Sequence, residues 1–517
     1  SSLARIPVRG VTSRLSASSS SSSLQPLTLT RGFSFAKGRK ERVVILGSGW
    51  AGYSVAKTLD PAKYERVVIS PRPYFVFTPL LASTSVGTLE FRTILEPVRR
   101  LNGKVDFYQG WADDIDFDRK LIRVETNAAE EAASKTVVPP PGGQITVRAK
   151  GDPIDIRYDK LVIACGAYSQ TFGIEGVREH VHFLRDIGDA RRIRLRVLSL
   201  FEQCAYPKGS DHLTDNDKRS LLHFAIVGGG PTGIEWAAEL HDFIHEDIAH
   251  MFPDLLQYVS ITVYDVAPKV LPMFDQALAS YAMAHFGRQN ISIKTQHHLQ
   301  RIRLADGELG RRHGALKIKI AEYGDKEVDA GMIVWSTGLM ANPLIAQLAS
   351  KEVISSGPNP RSGDPKEILT RHLVRDPRSG SLVTDEHMRV QVYEDAEQKK
   401  KGILEDVFVV GDCGVIEKNP LPKTAQVASQ QALYLAKTLN NEAVGKKGFK
   451  FRNWGTMTYL GGWKAIHQSK ADNLRGWLAW VLWRGAYLTK AMSWRNKILV
   501  PVYWMISWIF GRGISRF

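Results

Sequence analysis

A chain of 517 residues that is 44% hydrophobic is too long for one small core, so two or three domains are expected. Its three cysteines, Cys165, Cys204 and Cys413, exclude a disulfide framework, and the absence of any CxxC or Cys/His cluster leaves no sequence signal for a metal site. The net charge of +16 sits at the two ends, which argues against a nucleic-acid binder with basic groups lining a folded groove.

Residues 1–40 hold seven Lys/Arg (Arg5, Arg9, Arg14, Arg31, Lys37, Arg39, Lys40), an unbroken Ser18–Ser23 run and no acid before Glu41. That composition predicts a mitochondrial targeting segment, expected to be disordered and set apart from the fold. It contains no apolar run near the ~18 residues that would span a bilayer.

From Arg42 the text changes to Val43-Val44-Ile45-Leu46, an apolar run of the buried parallel-strand type, followed by Gly47-Ser48-Gly49-Trp50-Ala51-Gly52 and a helical pattern through Leu59. This is GxGxxG between strand and helix. Gly47 permits the tight turn, Gly49 lets a pyrophosphate approach, and Gly52 lets helix pack on strand. The next strand, Val67-Val68-Ile69-Ser70, ends without an acid. Further along, Leu161-Val162-Ile163-Ala164-Cys165-Gly166 is an apolar strand closed by glycine.

A second glycine loop follows at His223–Val227, where the strand runs into Gly228-Gly229-Gly230-Pro231-Thr232-Gly233-Ile234-Glu235. Its partner strand, Val259 to Asp265, ends in an acid that can accept bonds from ribose hydroxyls and repel a 2′-phosphate, which favours NADH over NADPH. Met332-Ile333-Val334-Trp335-Ser336-Thr337-Gly338 and Val407-Phe408-Val409-Val410-Gly411-Asp412 complete the set of glycine-ended strands. The stretches Pro139–Gly143 and Gly357–Gly363 read as exposed loops.

These strands together resemble the two-dinucleotide-binding-domain flavoproteins. The resemblance implies an α/β fold with two Rossmann-like domains, the NAD domain inserted in the FAD domain. Its boundaries are a FAD-binding domain over 41–185 and 340–450, an NADH-binding domain over 215–340, and a C-terminal membrane-interface and dimerisation region over 451–517. Ile69-Ser70-Pro71-Arg72-Pro73-Tyr74-Phe75-Val76-Phe77-Thr78-Pro79-Leu80-Leu81, Val86-Gly87-Thr88-Leu89-Glu90 and Ala425-Gln426-Val427-Ala428-Ser429-Gln430-Gln431 narrow it. They are similar to the type II (alternative, non-pumping) NADH:quinone oxidoreductases of fungal mitochondria, over residues 41–517.

The resemblance implies non-covalent FAD held by Gly47, Ser48, Gly49, Gly52, Ser70, Arg72, Thr78, Pro79, Leu80, Gly166, Asp412, Ala425 and Gln426. NADH would lie on Gly228, Gly230, Thr232, Gly233, Ile234, Glu235, Asp265 and Gly338. Glu235 would act near the nicotinamide–flavin contact, with Gln426 and Gln430, which share one helix face, towards the quinone. Trp483 and Tyr487 would border the quinone entrance. The activity implied is hydride transfer from NADH to FAD and two electrons onward to ubiquinone at the mitochondrial inner membrane, without proton pumping. Departures from the family pattern are Tyr503 and Gly513, where the tail usually carries acids. Cys165 and Cys413 flank two expected flavin contacts, which would suit a sulfide:quinone oxidoreductase, but they read better as small buried apolar fillers. A membrane-docked signalling flavoprotein similar to the apoptosis-inducing factors is the rival from another class.

The tail, 451–517, carries eight of the twelve tryptophans, ten Lys/Arg and one acid, Asp472. Trp477, Trp480 and Trp483 at spacing three, with Leu478, Leu482 and Leu488, predict a helix with a broad apolar face. The longest apolar run, 498–510, is thirteen residues with a proline inside, too short to span. An amphipathic helix pair lying in the membrane interface and drawn to anionic lipid is therefore expected, with homodimerisation as an added role. The lack of a spanning segment after the targeting segment leans towards the matrix face.

Overall fold

The computed structural model describes residues 39–126, 153–206, 213–358, 368–393, 401–441, 446–470, 472–490 and 493–514. The expected targeting segment up to residue 38 and the Pro139–Gly143 loop lie outside them. So do residues 359–363 of the other expected loop, whose first two residues end the strand Glu352–Pro358. Residues 40–517 form one compact unit.

The first glycine loop leaves β1 (Glu41–Leu46) and enters α1 (Trp50–Thr58). β1 lies parallel between β2 (Tyr64–Ser70) and β3 (Lys160–Ile163). The Val/Ile side chains of these strands are fully buried because helices and a second layer of strands cover both faces. Beside β3, also parallel, lies the end of the long strand Lys401–Val409. Val105–Asp116 pairs parallel with β2, and beyond it and beyond Lys401–Val409 antiparallel strands widen the sheet, to twelve strands among the described residues.

The second glycine loop leaves β4 (His223–Val227) and enters α2 (Pro231–Phe243). β4 sits parallel between β5 (Ser260–Asp265) and β6 (Met332–Trp335) in a five-stranded sheet. The antiparallel pair Ala167–Ser169 and Leu339–Ala341 carries the chain out of the first sheet region and back. Two dinucleotide-type sheets, with the second lying between halves of the first, match the expected fold class.

The C-terminal region carries the expected helix pair and, ahead of it, a three-stranded antiparallel sheet that the sequence reading did not include, Thr456–Gly461, Lys464–Gln468 and Asn473–Gly476. Gly461 and Gly462 turn the first hairpin at φ +84° and +55°. α3 (Ala425–Asn440) precedes this sheet, and α4 (Trp477–Lys490) and α5 (Trp494–Phe510) follow it. Among the described residues no helix is long and apolar enough to cross a membrane.

Candidate functional site

A cleft of about 250 Å³ opens along the ends of β1, β2 and β3 and the start of α3. Of the residues expected to hold FAD, it is lined by Gly47, Ser48, Gly49, Ser70, Arg72, Thr78, Gly166, Asp412 and Ala425. Gly47 is obligatory: its φ is +107°, and a Cβ there would run into the Ala164 carbonyl oxygen. Around Gly49 nothing stands within 4 Å of a Cβ position, so the amides at the α1 start face open space. Ser48 ties the floor together, with Oγ 2.9 Å from Ser70 Oγ and donating to the Arg72 and Tyr74 carbonyls at 2.9 Å. Trp50 Nε1 donates to Thr78 Oγ1 at 2.9 Å.

Four expected FAD residues lie off this lining. Gly52 packs α1 on β1, where a Cβ would strike the Gly47 carbonyl, so its role is to seat the loop. Leu80 is buried in the core beside Pro79, in the short helix Thr78–Leu80. Gln426 turns away. Its Oε1 accepts from Trp454 N–H at 3.1 Å and its Nε2 donates to the Gly455 carbonyl at 3.3 Å.

Arg185 is a cleft residue that the sequence reading missed. Its Nη1 is buried with no hydrogen-bond partner, and it faces Asp412. Burial pushes the Asp412 carboxyl up, with Arg185 and Lys423 pulling it back. Only the Arg185-Asp186 pair after a short strand hinted at it; Asp186 itself forms an ion pair with Arg72, Nε to Oδ2 3.0 Å. A guanidinium with a free Nη1 and open helix-start amides supply donors for phosphate, and a carboxylate supplies an acceptor for hydroxyls, a set that fits FAD.

Cys413 is buried, as expected of a filler, but Cys165 lines the cleft and is half-buried, which corrects that expectation. Cys413 Sγ donates to the Ile163 and Val410 carbonyls at 3.4 Å, and its nearness together with burial raises the Cys165 pKa well above its ordinary value. Strand pairing of β3 with Lys401–Val409 brings them together, which spacing in the sequence does not reveal.

At the second loop Gly228 has φ +113°, with Ser336 and Thr337 against its Cβ position, and Gly230 is open within 4 Å. Gly233 seats α2 as Gly52 seats α1. Thr232 is exposed at the helix start and Ile234 is buried. Asp265 stands at the end of β5 against this loop, where its carboxylate accepts from Gly229 N–H and, at 2.7 Å, from Ala267 N–H. Gly338 has φ +75°, and its carbonyl accepts from Gln170 N–H at 3.3 Å.

Glu235, on α2, meets the tail. Its Oε1 accepts from Tyr459 N–H at 3.2 Å, and burial pushes its pKa up to about 8, offset in part by Tyr459 and Trp483. Trp483 stacks on Tyr459 with centroids 5.4 Å apart and meets Tyr487 at 4.9 Å. Tyr487 meets Phe77 edge-on at 6.1 Å, and Phe77 meets Trp50 at 5.2 Å. Glu235, Trp483 and Tyr487 are thus brought together beside Thr78 of the cleft. Gln430 is not: its side chain clasps the Arg452 backbone, donating to the carbonyl at 2.9 Å and accepting from the N–H at 3.0 Å.

On the far side of Trp483 lies a cavity of about 410 Å³ between α2, α4 and α5, lined by Thr88, Glu239, Glu246, Tyr459, Arg484 and Arg512 among aromatic rings. Arg484 lies between Trp480 and Trp504, 4.3 and 4.4 Å from their centroids. Thr88 belongs to the Val86–Glu90 motif, whereas Glu239, Glu246 and Tyr459 were not singled out by sequence. The outer faces of α4 and α5 expose Trp477, Leu478, Trp494, Ile498, Trp508 and Phe510. At the two positions that depart from the family pattern, Tyr503 accepts from Arg92 and the Gly513 carbonyl accepts from Arg194, while Arg512 pairs with Glu246 at 2.8 Å and Asp247 at 2.5 Å.

Residues 41–357 match the pyridine nucleotide-disulphide oxidoreductase family, and residues 454–513 match the NDH2 C-terminal domain. A probable NADH dehydrogenase of Dictyostelium discoideum is 36% identical, the match covering 92% of this chain and 91% of that protein. An internal alternative NAD(P)H-ubiquinone oxidoreductase A1, mitochondrial, of Solanum tuberosum is 34% identical over 92% and 88%. A solved structure of NDH2 from Plasmodium falciparum in complex with NADH superposes with a TM-score of 0.74 at 24% identity, covering 92% of this chain and all of that one. The sulfide:quinone oxidoreductase of Aquifex aeolicus shares the fold more loosely, at TM-score 0.58 and 17% identity over 92% and 96%.

Proposed function

Because this chain belongs to the pyridine nucleotide-disulphide oxidoreductases, within their alternative (type II) NAD(P)H–ubiquinone oxidoreductase branch, we propose that it oxidises NADH and reduces ubiquinone through bound FAD, without pumping protons. The observation that carries this reading is the aromatic bridge from the FAD cleft through Phe77, Tyr487 and Trp483 to a cavity beneath two apolar-faced helices. It links a dinucleotide site to a place where a lipid-soluble acceptor can lodge.

FAD, when bound, supplies the hydride-accepting and electron-passing chemistry. The chain supplies binding and orientation. Gly47, Gly49 and the α1 amides take the pyrophosphate, while Arg185 and Asp412 face the cofactor's polar chain. Gly228, Gly230 and Asp265 hold NADH. Glu235, whose carboxyl burial pushes up to about 8, holds or releases a proton beside Tyr487. Trp483 and Tyr487 border the quinone path, and the cavity beyond them receives its ring. Gln426 and Gln430 serve the acceptor by fixing the 452–455 segment rather than by touching it.

We assign the chain to the mitochondrial inner membrane as a peripheral protein, on the matrix side. The exposed Trp and Phe of α4 and α5 support docking to lipid, and basic residues among them favour anionic headgroups. A homodimer through 451–517 is part of the same reading.

The test is NADH oxidation by the purified flavoprotein with and without a short-chain ubiquinone, followed in the flavin spectrum. Rapid bleaching reversed by quinone is expected. Slow bleaching, or bleaching that quinone cannot reverse, would transfer the chain to the signalling flavoproteins.

A further inference from the structure

We infer that Glu239 is a second acid–base group of this reaction, delivering a proton to the acceptor in the 410 Å³ cavity and recharged from solvent through Glu246. The inference rests on the quinone reading above. Reduction of a quinone to a quinol forms two O–H bonds and takes two electrons and two protons. NADH gives up both electrons and one proton as hydride when its C4–H bond breaks. The second proton comes from water, so the sum is NADH + H⁺ + quinone → NAD⁺ + quinol. The cavity lies among helices whose outer faces are apolar, so that proton needs a route along protein groups rather than through lipid.

α2 and the π-helical turn that continues it, Ile244–Ile248, provide one. Glu235, Glu239, Asp242 and Glu246 recur at spacings of four, three and four, which puts them on one helix face. Glu235, Glu239 and Asp242 are buried, whereas the Glu246 side chain at the end of the row is 49% exposed. Glu239 and Glu246 both line the cavity. Two hydroxyls hold Glu239: Ser83 Oγ donates to Oε1 at 2.5 Å and Thr88 Oγ1 to Oε2 at 2.9 Å. Arg512 Nε donates to the same Thr88 oxygen at 2.9 Å while its Nη1 grips Glu246 and Asp247, so one guanidinium spans both ends of the route.

The charged and titratable groups facing Glu239 are Arg512 from the C-terminal segment, Arg484 from α4, Tyr459 from the tail sheet, and Glu235 and Asp242 on its own helix. Burial raises its pKa and Arg512 pulls it back. A carboxylate that merely anchored the 83–88 segment would need the two hydroxyl bonds, but not a place on the cavity wall or an exposed partner further along the same face.

The purified flavoprotein is assayed with NADH and one of two acceptors. Ubiquinone takes electrons and protons, whereas ferricyanide takes electrons alone. In E239Q the ratio of ubiquinone to ferricyanide turnover should fall at least tenfold, and E239D should recover part of it. An unchanged ratio in E239Q overturns the inference. A wild-type protein that reduces ferricyanide but never ubiquinone overturns the proposed function instead. Should E239Q purify without flavin, E246Q carries the test: its ratio should fall more steeply than the wild type's as pH rises from 6 to 9, and a wild-type profile overturns the inference.

Discussion

The backbone N–H of Tyr459 donates to Oε1 of Glu235 across 3.2 Å, joining residues 224 positions apart. The tail sheet thereby closes over a carboxyl on the helix of the second glycine loop. Burial pushes that carboxyl from its ordinary 4.5 up to about 8. A raised carboxyl pKa gives stability that is complete below pH 4.5 and lost as pH climbs through 8. Glu235→Gln should therefore match the wild type in thermal midpoint near pH 4.5 and exceed it increasingly towards pH 9. Parallel melting curves across that range check it; a constant offset would mean that Glu235 titrates alike in the folded and unfolded chain.

Gly47→Ala should abolish flavin retention. A left-handed φ of +107° and a Cβ directed at the Ala164 carbonyl both oppose the change, and moving the loop displaces the amides that face the cofactor. The 450 nm absorbance of the purified variant should fall by at least tenfold per protein.

Asp265→Ser should raise the NADH Michaelis constant about tenfold, in line with the ~1.4 kcal/mol that one such hydrogen bond contributes. Preference against NADPH should relax, because the carboxylate that would repel a 2′-phosphate is gone. Steady-state rates with both nucleotides decide; an unchanged preference would remove Asp265 from its role. Since Asp265 also binds the Gly229 and Ala267 amides, some loosening of the loop is expected as well.

Gln430→Ala removes both bonds to the Arg452 backbone. At about 1 kcal/mol per bond, the 452–455 segment should exchange its amide hydrogens roughly tenfold faster or more. Ubiquinone turnover should drop with it while ferricyanide turnover holds. Unaltered exchange with impaired quinone reduction would instead return Gln430 to direct quinone contact.

Trp508 and Phe510 expose 70% and 81% of their surface at the end of α5. Burying each in a bilayer is worth about 1.5–3 kcal/mol. Replacing both by Ala should therefore weaken partition onto vesicles containing anionic lipid by at least tenfold in a sedimentation assay.

The sequence by itself determined the two dinucleotide sheets. A glycine loop, a fully buried strand before it and a helix after it form a local grammar, in which backbone geometry at Gly47 and Gly228 and unpaired helix-start amides leave little choice. It also determined that α4 and α5 would be aromatic, apolar and too short to span. The tryptophan spacing signals only the tail helices, whereas the tail sheet is marked by Gly461-Gly462 alone, a hairpin signal between Thr456–Gly461 and Lys464–Gln468.

Tertiary structure decided what long-range packing controls. Arg185 enters the cleft only because the chain returns beside Asp412, and Cys165 meets Cys413 only across paired strands. Gln426 and Gln430 do share a face of α3, but that face is taken by the 452–455 backbone, whose unpaired amides and carbonyls claim both side chains. The carboxylate row on α2 looks in sequence like an ordinary solvated helix face. It becomes a buried, arginine-bound wall only when the C-terminal segment folds back over it, because desolvation depends on neighbours that no local pattern names.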